Sequence, residues 1–232
     1  MSHPVRYMSD KPHVIFCEGA DERYFLIEYL KHLKNRELSF QDCCNVIDLG
    51  GISEMGKQFA NIPNYPQYDD MESFLFVRDA EQDASAAVAS LKNGIRKIWG
   101  IEIPDNGTPQ ITEDGVKVGF FLFPGFDTLT GSFRNGTLED MCLDMLRIDD
   151  KISTQQLRSL VQDYINRLEV ARGCAMKWQH KNTLHLCLDS TDKYVGAKIG
   201  EAAKYNAFDL EHVSIQQLHD VILSMQKVIE QP

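Results

Sequence analysis

Short apolar runs alternate with segments of helical period through the first half of the chain. Residues 14–17 are uniformly apolar, and after a polar turn Phe25, Leu26, Tyr29, Leu30 and Leu33 return at helical spacing. A run apolar on both faces predicts a strand buried inside a sheet, and the spacing after it predicts a helix with one buried side. Asp21 is placed to cap that helix. "NVIDLGG" (residues 45–51) predicts a second strand closing on two glycines, and Ile52, Met55, Phe59 and Ile62 mark the inner face of the helix that follows. "SFLFV" (residues 73–77) predicts a third buried strand, with Ala84, Ala87, Val88, Leu91, Ile95 and Ile98 as the inner face of the next helix. "ITEDGVKVGFFLFPG" predicts a hairpin turning at Asp114-Gly115, its second arm apolar enough to lie in the core.

From residue 137 onward the period is almost wholly helical. Leu157, Leu160, Val161, Tyr164 and Leu168 form one stripe, and Leu218, Val221, Ile222, Met225 and Ile229 form another. This order predicts an α/β domain over residues 1–150 and a helical C-terminal part over residues 151–232 packed on it.

Composition narrows the class. A chain of 232 residues with 43% hydrophobic and 25% charged residues can bury one sizeable core and is ordinary for a globular protein. No apolar run approaches the ~20 residues of a membrane span, so no membrane partner is expected. The opening "MSHPVRYMSDKP" lacks the apolar stretch of a secretory signal, and a cytoplasmic location is the expectation. Cys17, Cys43, Cys44, Cys142, Cys174 and Cys187 form no CxxC pair, which favours buried thiols over disulfides or zinc ligands. The net charge of −10 argues against a protein that coats duplex nucleic acid, since phosphate contacts need clustered Lys and Arg. It is compatible with an acidic pocket neutralised by a divalent ion.

Acid collects where strands give way to loops or helices: Glu18, then Asp79, Glu81 and Asp83, then Glu139 and Asp140. Residues two apart in extended chain project to one side, so Asp79 and Glu81 can converge on one ion. Oxygen ligands of this kind suit Mg²⁺ or Mn²⁺. Taken singly, each carboxylate is better explained by a structural role such as helix capping, for which Asp21 and Asp83 are well placed. Taken together, two strands ending in acid put that acid on the sheet edge where open α/β folds hold ligands. Gly50 and Gly51 could offer backbone N–H groups to a phosphate, but without a Walker lysine pattern or GxGxxG a tight turn explains them better. Thr137 and Asp140 stand at capping-box spacing. Lys177, His180, Lys181 and His185, with Trp178 among them, form the one basic cluster with aromatic company; it could contact phosphate, but a solvated loop is the safer reading.

"FCEGADERYFLIEYL", followed by "FLFVRDAEQDA", resembles the Toprim domain of topoisomerases, bacterial primases and overcoming-lysogenization-defect (OLD) nucleases. "FPGFDTLTGSFRNGTLEDMCLDML" and "KNTLHLCLDSTDKYVGAKIGEAAKYNAFDLEH" are similar to segments of a family of small, stand-alone Toprim-like proteins. The resemblance runs from about Val14 to about His212. It implies a mainly parallel, Rossmann-type α/β sheet flanked by helices. By position it implies that Glu18 is a general acid/base or metal ligand and that Asp79 is the first Asp of an Asp-x-Asp motif. Glu81 stands where a second Asp is usual, Asp83 takes a third acidic position, and Glu139 is the Glu of the Gly-x-Leu-Glu-Asp segment. The activity implied is Mg²⁺- or Mn²⁺-dependent phosphoryl transfer, foremost cleavage of a nucleic acid. The alternative is a non-catalytic module that binds metal, nucleotide or a protein partner. Nucleic acid is the partner the first reading expects, and a homo-oligomer stays open.

Overall fold

The structure is a computed structural model that describes residues 10–34, 40–65, 67–148 and 152–226. Along the chain β1 (His13–Cys17), α1 (Ala20–Lys34), α2 (Phe40–Cys43), β2 (Cys44–Asp48), α3 (Ile52–Asn61), β3 (Ser73–Asp79) and α4 (Ala84–Trp99) follow one another. The strands β4 (Gln110–Ile111) and β5 (Lys117–Phe123) come next, then the short ribbon β6 (Phe126–Asp127) and β7 (Ser132–Phe133). The remaining elements are α5 (Leu138–Met145), α6 (Thr154–Arg172), α7 (Gln179–Asp189), α8 (Ile199–Lys204) and α9 (Val213–Met225).

The sheet runs in the order β2-β1-β3-β5-β4, parallel except for β4, which pairs antiparallel with β5. This is the mixed α/β architecture expected, and β4 with β5 is the hairpin expected around Asp114-Gly115. β1 lies between β2 and β3, so the chain leaves β1 toward one edge of the sheet and β3 starts its other half. That is a topological switch point, and it opens a crevice at the C-terminal ends of β1 and β3. The register pairs Cys17 with Val77, which carries Glu18 and Asp79 to the same edge.

Alternation along β3 divides the core into two layers. Phe76 stacks on Phe59 of α3, with ring centroids 4.1 Å apart, and on Phe16 at 5.5 Å. On the opposite face Phe123 meets Phe25 of α1 edge-on at 6.2 Å. All of these rings except Phe59 are wholly buried, and burying each stabilises the fold by about 1.5–3 kcal/mol. Helices α3 and α4 pack together on the first face, while α1 packs on α8, and α9 lies against β3 and β5. Among the described residues no helix is long and apolar enough to cross a membrane.

Most of the expected inner faces are buried: Phe25, Leu26, Tyr29, Leu30 and Leu33 on α1, and Leu218, Val221, Ile222 and Met225 on α9. The Ile52 side chain and Ile229 lie outside the described residues. The stripe on α6 differs. Leu157, Val161 and Ile165 are buried, but Leu160 and Tyr164 are 60% and 52% exposed. Helix α6 rests chiefly on α7, and a single neighbour covers a narrower seam than the apolar pattern offered. Asp21 is inside the first turn of α1, because the Gly19 carbonyl already accepts the Arg23 N–H (3.1 Å) and takes the cap position. The cysteines are all free thiols, with Cys17, Cys44, Cys142 and Cys187 buried.

Two glycines test this packing. A Cβ on Gly200 would collide with Cβ of Tyr24 where α8 crosses α1, whereas a Cβ on Gly56, in the exposed middle of α3, meets nothing within 4 Å. Gly200→Ala is expected to lower stability by about 1–3 kcal/mol. Gly56→Ala is expected to raise it by about 0.5–1 kcal/mol. Urea midpoints of the two variants check both signs; a neutral Gly200→Ala would mean that α8 does not sit against α1.

Candidate functional site

The crevice at the switch point is a cavity of about 510 Å³ lined by Glu18, Glu22, Gly51, Asp79, Glu81, Trp178 and Lys181, among others. Each wall has a local cause. β1 ends at Cys17, and Glu18 opens the turn into α1. Its carbonyl accepts the Gly51 N–H (2.7 Å), which ties the loop after β2 to the loop after β1. Gly50 and Gly51 have φ of 82° and 98°, a left-handed backbone that favours glycine. The Gly51 N–H is committed to the Glu18 carbonyl, so of this pair it is not on offer to a phosphate. Glu22 lies in the first turn of α1, directly after the turn that Glu18 opens, and is buried in the crevice wall.

β3 supplies adjacent side chains to opposite faces. Arg78 is buried beneath the crevice; its Nε donates to the Asp79 carbonyl (3.1 Å) and stands 3.8 Å from Glu18 Oε2. Asp79 points the other way, is 5% exposed, and its Oδ1 accepts the Leu138 N–H at 2.8 Å. Leu138 opens α5, so the amide end of that helix faces the carboxylate. The segment before α5 is locked to the segment after β3. Glu81 and Gly136 exchange backbone hydrogen bonds of 2.8 and 2.7 Å, and Asn135 Oδ1 accepts the Ala84 N–H (2.9 Å). The Asp140 carboxylate accepts the Thr137 N–H (2.8 Å), which is half of the expected capping box.

Glu139 is 2% exposed and its Oε1 lies 2.9 Å from Lys181 Nζ on α7. The structure therefore lines the crevice with Glu18, Asp21, Glu22, Asp79 and Glu81, holds the buried Glu139 next to it through Lys181, and supplies Lys181 and Arg78 as cations. It does not bring Asp83 there: Asp83 is exposed and caps α4 by accepting the Ala86 N–H (2.9 Å). Of the basic cluster read as a solvated loop, His180, Lys181 and His185 are on α7, and Lys181 is an internal ion-pair partner. Glu22 and Arg78 were not singled out in the sequence, and Lys181 stood there only within the basic cluster, not as a member of the acidic site. Glu22 had a signal, its four-residue spacing from Glu18; Lys181 had none, being brought in by the packing of α7 on α5.

Crowded, buried acid changes its protonation. Burial, reinforced by the charges of Glu22 and Glu139, lifts the Asp79 carboxyl from its ordinary 3.8 to about 9, against the Leu138 hydrogen bond that pulls it down. Burial likewise lifts Glu22 to about 7 and pushes Glu18 upward, where Arg78 opposes the shift. Two oxygens of this cluster, Glu18 Oε2 and Glu139 Oε2, are buried without a hydrogen-bond partner. Hard oxygen donors with unmet lone pairs fit Mg²⁺ or Mn²⁺ by donor chemistry. Among the described residues, however, no three His, Cys, Asp or Glu side chains are drawn into one ready ligand sphere.

Fold and site together define an α/β protein with a buried acidic crevice at its switch point. The chain belongs to the DUF3226 family, described as "Protein of unknown function", whose pattern matches residues 12–226. No curated protein matches the sequence. Solved structures of the C-terminal region of the Xanthomonas campestris pv. campestris OLD protein are similar. The one phased with platinum is 11% identical, with TM-score 0.44, covering 93% of this chain and 94% of that one. The one phased with mercury is 15% identical, with TM-score 0.43, covering 92% and 95%.

The raised carboxyls make stability depend on pH. The folded, metal-free protein holds protons on Asp79 and Glu22 that the unfolded chain releases above their ordinary values of 3.8 and 4.5. Their contribution is full below about pH 4 and is lost as pH rises through about 7 for Glu22 and about 9 for Asp79. Each group protonated only in the folded state contributes a slope of up to about 1.4 kcal/mol per pH unit. Melting in EDTA between about pH 5 and 9 should show stability falling toward alkaline pH. Asp79→Asn should flatten most of that decline, and equal slopes for both proteins would show that Asp79 is not protonated at neutral pH.

Proposed function

We propose that the crevice is a Toprim-like, Mg²⁺- or Mn²⁺-dependent phosphodiester-cleaving site whose substrate is a nucleic acid. The observation that carries this reading is a pair of buried carboxylate oxygens without a hydrogen bond, Glu18 Oε2 (which has only the 3.8 Å ion pair to Arg78) and Glu139 Oε2, in one cluster with the buried Asp79. Like-charged carboxylates buried together are costly unless a cation joins them, and an acid cluster with spare lone pairs at a switch point is a place to seat one. The resemblance of "FCEGADERYF" and "FLFVRDAEQDA" to Toprim motifs supports the same assignment.

Asp79 and Glu139 would hold the ion, with Glu81 and Glu18 as further oxygen donors. A bound divalent ion supplies Lewis-acid polarisation of a phosphate oxygen and acidifies a water. Glu18 is the residue placed to move the proton, being half-buried, held by Arg78, and open to the crevice. Lys181, already 2.9 Å from Glu139, brings a positive charge to the mouth of the crevice, suited to a phosphate oxygen. The Leu138 N–H holds Asp79 in orientation through its hydrogen bond.

A second reading is favoured by one observation: the acidic side chains are not assembled into a ligand sphere, and Lys181 serves as the internal counter-ion. On that reading the crevice is a non-catalytic module for a metal or nucleotide.

The readings separate experimentally. Purified protein is incubated with plasmid, single-stranded DNA and RNA in Mg²⁺, Mn²⁺ or EDTA; cleavage is expected with either ion, none in EDTA, and none for Asp79→Asn. An ion binding only the folded state at a hundredfold excess over Kd stabilises by about 2.7 kcal/mol, which is about 5–10 °C in melting temperature for a chain of this size. That shift is expected for the wild type and lost in Asp79→Asn. A shift without cleavage leaves the binding module; identical responses of both proteins remove the metal site altogether.

A further inference from the structure

Trp178 is the residue that neither the acidic crevice nor the core explains. It is 59% exposed, yet it lines the crevice beside Glu18, Asp79 and Glu81. It also lines a second cavity of about 750 Å³, which it shares with Glu81, Lys177 and His180. The indole and Glu81 thus form the common wall of two adjoining cavities, one acidic and one carrying Lys177 and His180, the latter 3.5 Å from the Asp140 carboxylate that lines the same cavity. The segment around the ring is fastened. Met176 N–H donates to Glu169 Oε1 (2.8 Å), Asn182 Nδ2 donates to the Lys177 carbonyl (3.0 Å), and the Trp178 carbonyl accepts the Asn182 N–H (3.0 Å). Trp178 itself has φ of 61° and ψ of 46°, a left-handed backbone that a bulky side chain rarely adopts.

An exposed ring on a fastened stretch of backbone beside a phosphate-directed site has the chemistry of a base platform. Every nucleobase has a π-face, and stacking on an aromatic side chain is tolerant of sequence. Inside a duplex both faces of a base are covered by its neighbours, so an indole reaches a base only where the strand is single or the base has left the stack. We propose that Trp178 stacks one nucleobase of a single-stranded nucleic acid, setting the neighbouring phosphate at the acidic crevice and the next against Lys177 and His180. The inference rests on the phosphodiester reading above and gives that site its substrate class, an unpaired strand.

The test is binding without turnover, by anisotropy of labelled oligonucleotides of about 12 nucleotides in Ca²⁺, with single-stranded DNA, single-stranded RNA and the matching duplex as separate arms. Trp178→Gly removes the ring and accepts the left-handed backbone, and Trp178→Phe keeps a ring. Trp178→Gly is expected to weaken single-strand binding about 5- to 100-fold, the loss for one stacked base, while Trp178→Phe retains most of it and duplex binding is unchanged. The DNA and RNA arms decide which sugar the site prefers. Single-strand binding by Trp178→Gly within about twofold of wild type, or no binding of any single strand, overturns the proposal. Loss of binding in Trp178→Gly with no cleavage by the wild type in Mg²⁺ keeps the platform and removes the nuclease reading. Cleavage by the wild type with unchanged binding by Trp178→Gly does the reverse.

Discussion

The hydrogen bond from the Leu138 N–H to the buried Asp79 carboxylate joins segments 59 positions apart, and the architecture of the crevice hangs on it. It anchors the start of α5 on the end of β3, and that anchor carries Glu139 to the acidic edge. The mutual backbone bonds of Glu81 and Gly136 and the bond from Ala84 to Asn135 then hold the two segments side by side. A buried carboxyl with so few donors is an expensive arrangement for stability alone. Its place at the switch point, where strand directions part and leave room, is the reason to regard it as a site.

The charge distribution follows from the same geometry. A chain with net charge −10 concentrates buried acid at one sheet edge and answers it with Arg78 from below and Lys181 from α7. Arg78 neutralises part of Glu18 without filling the crevice, because alternation along β3 sends it to the face opposite Asp79. Lys181 reaches Glu139 from the solvent side and is part-exposed, so it can leave without unfolding anything. The protonated carboxyls at neutral pH and the Lys181 ammonium are two ways in which the protein tolerates the cluster in the absence of another cation.

Backbone strain collects at the same place. Among the described residues the non-glycine positions with positive φ are Glu81, Trp178 and Asn206, and the first two share the wall between the two cavities. Each such residue costs of the order of 1–3 kcal/mol and persists only where the surroundings fix it. For Glu81 the surroundings are the paired bonds to Gly136; for Trp178 they are the bonds of its carbonyl and of Lys177 to Asn182.

The strands β1, β2, β3 and β5 and the helices α1, α3, α4 and α9 were legible in the chain, because apolar runs and helical spacing report burial directly. So was the meeting of Glu18 and Asp79 at one edge, since parallel strands put their C-terminal ends together. The sequence offered Asp83 both as a helix cap and as a third acidic ligand and could not choose between them, nor could it say that α6 buries a narrower seam than its apolar residues suggest or that Gly51 donates to Glu18. Those outcomes depend on which neighbour arrives. Lys181 and Trp178 are the clearest case: nothing in "MKWQHKNTL" marks them as belonging to residues a hundred positions earlier. Local pattern determines which side of an element faces inward, because that follows from its own periodicity. Which residues from distant elements share a crevice is decided by packing, because it depends on the relative placement of surfaces that no local spacing records.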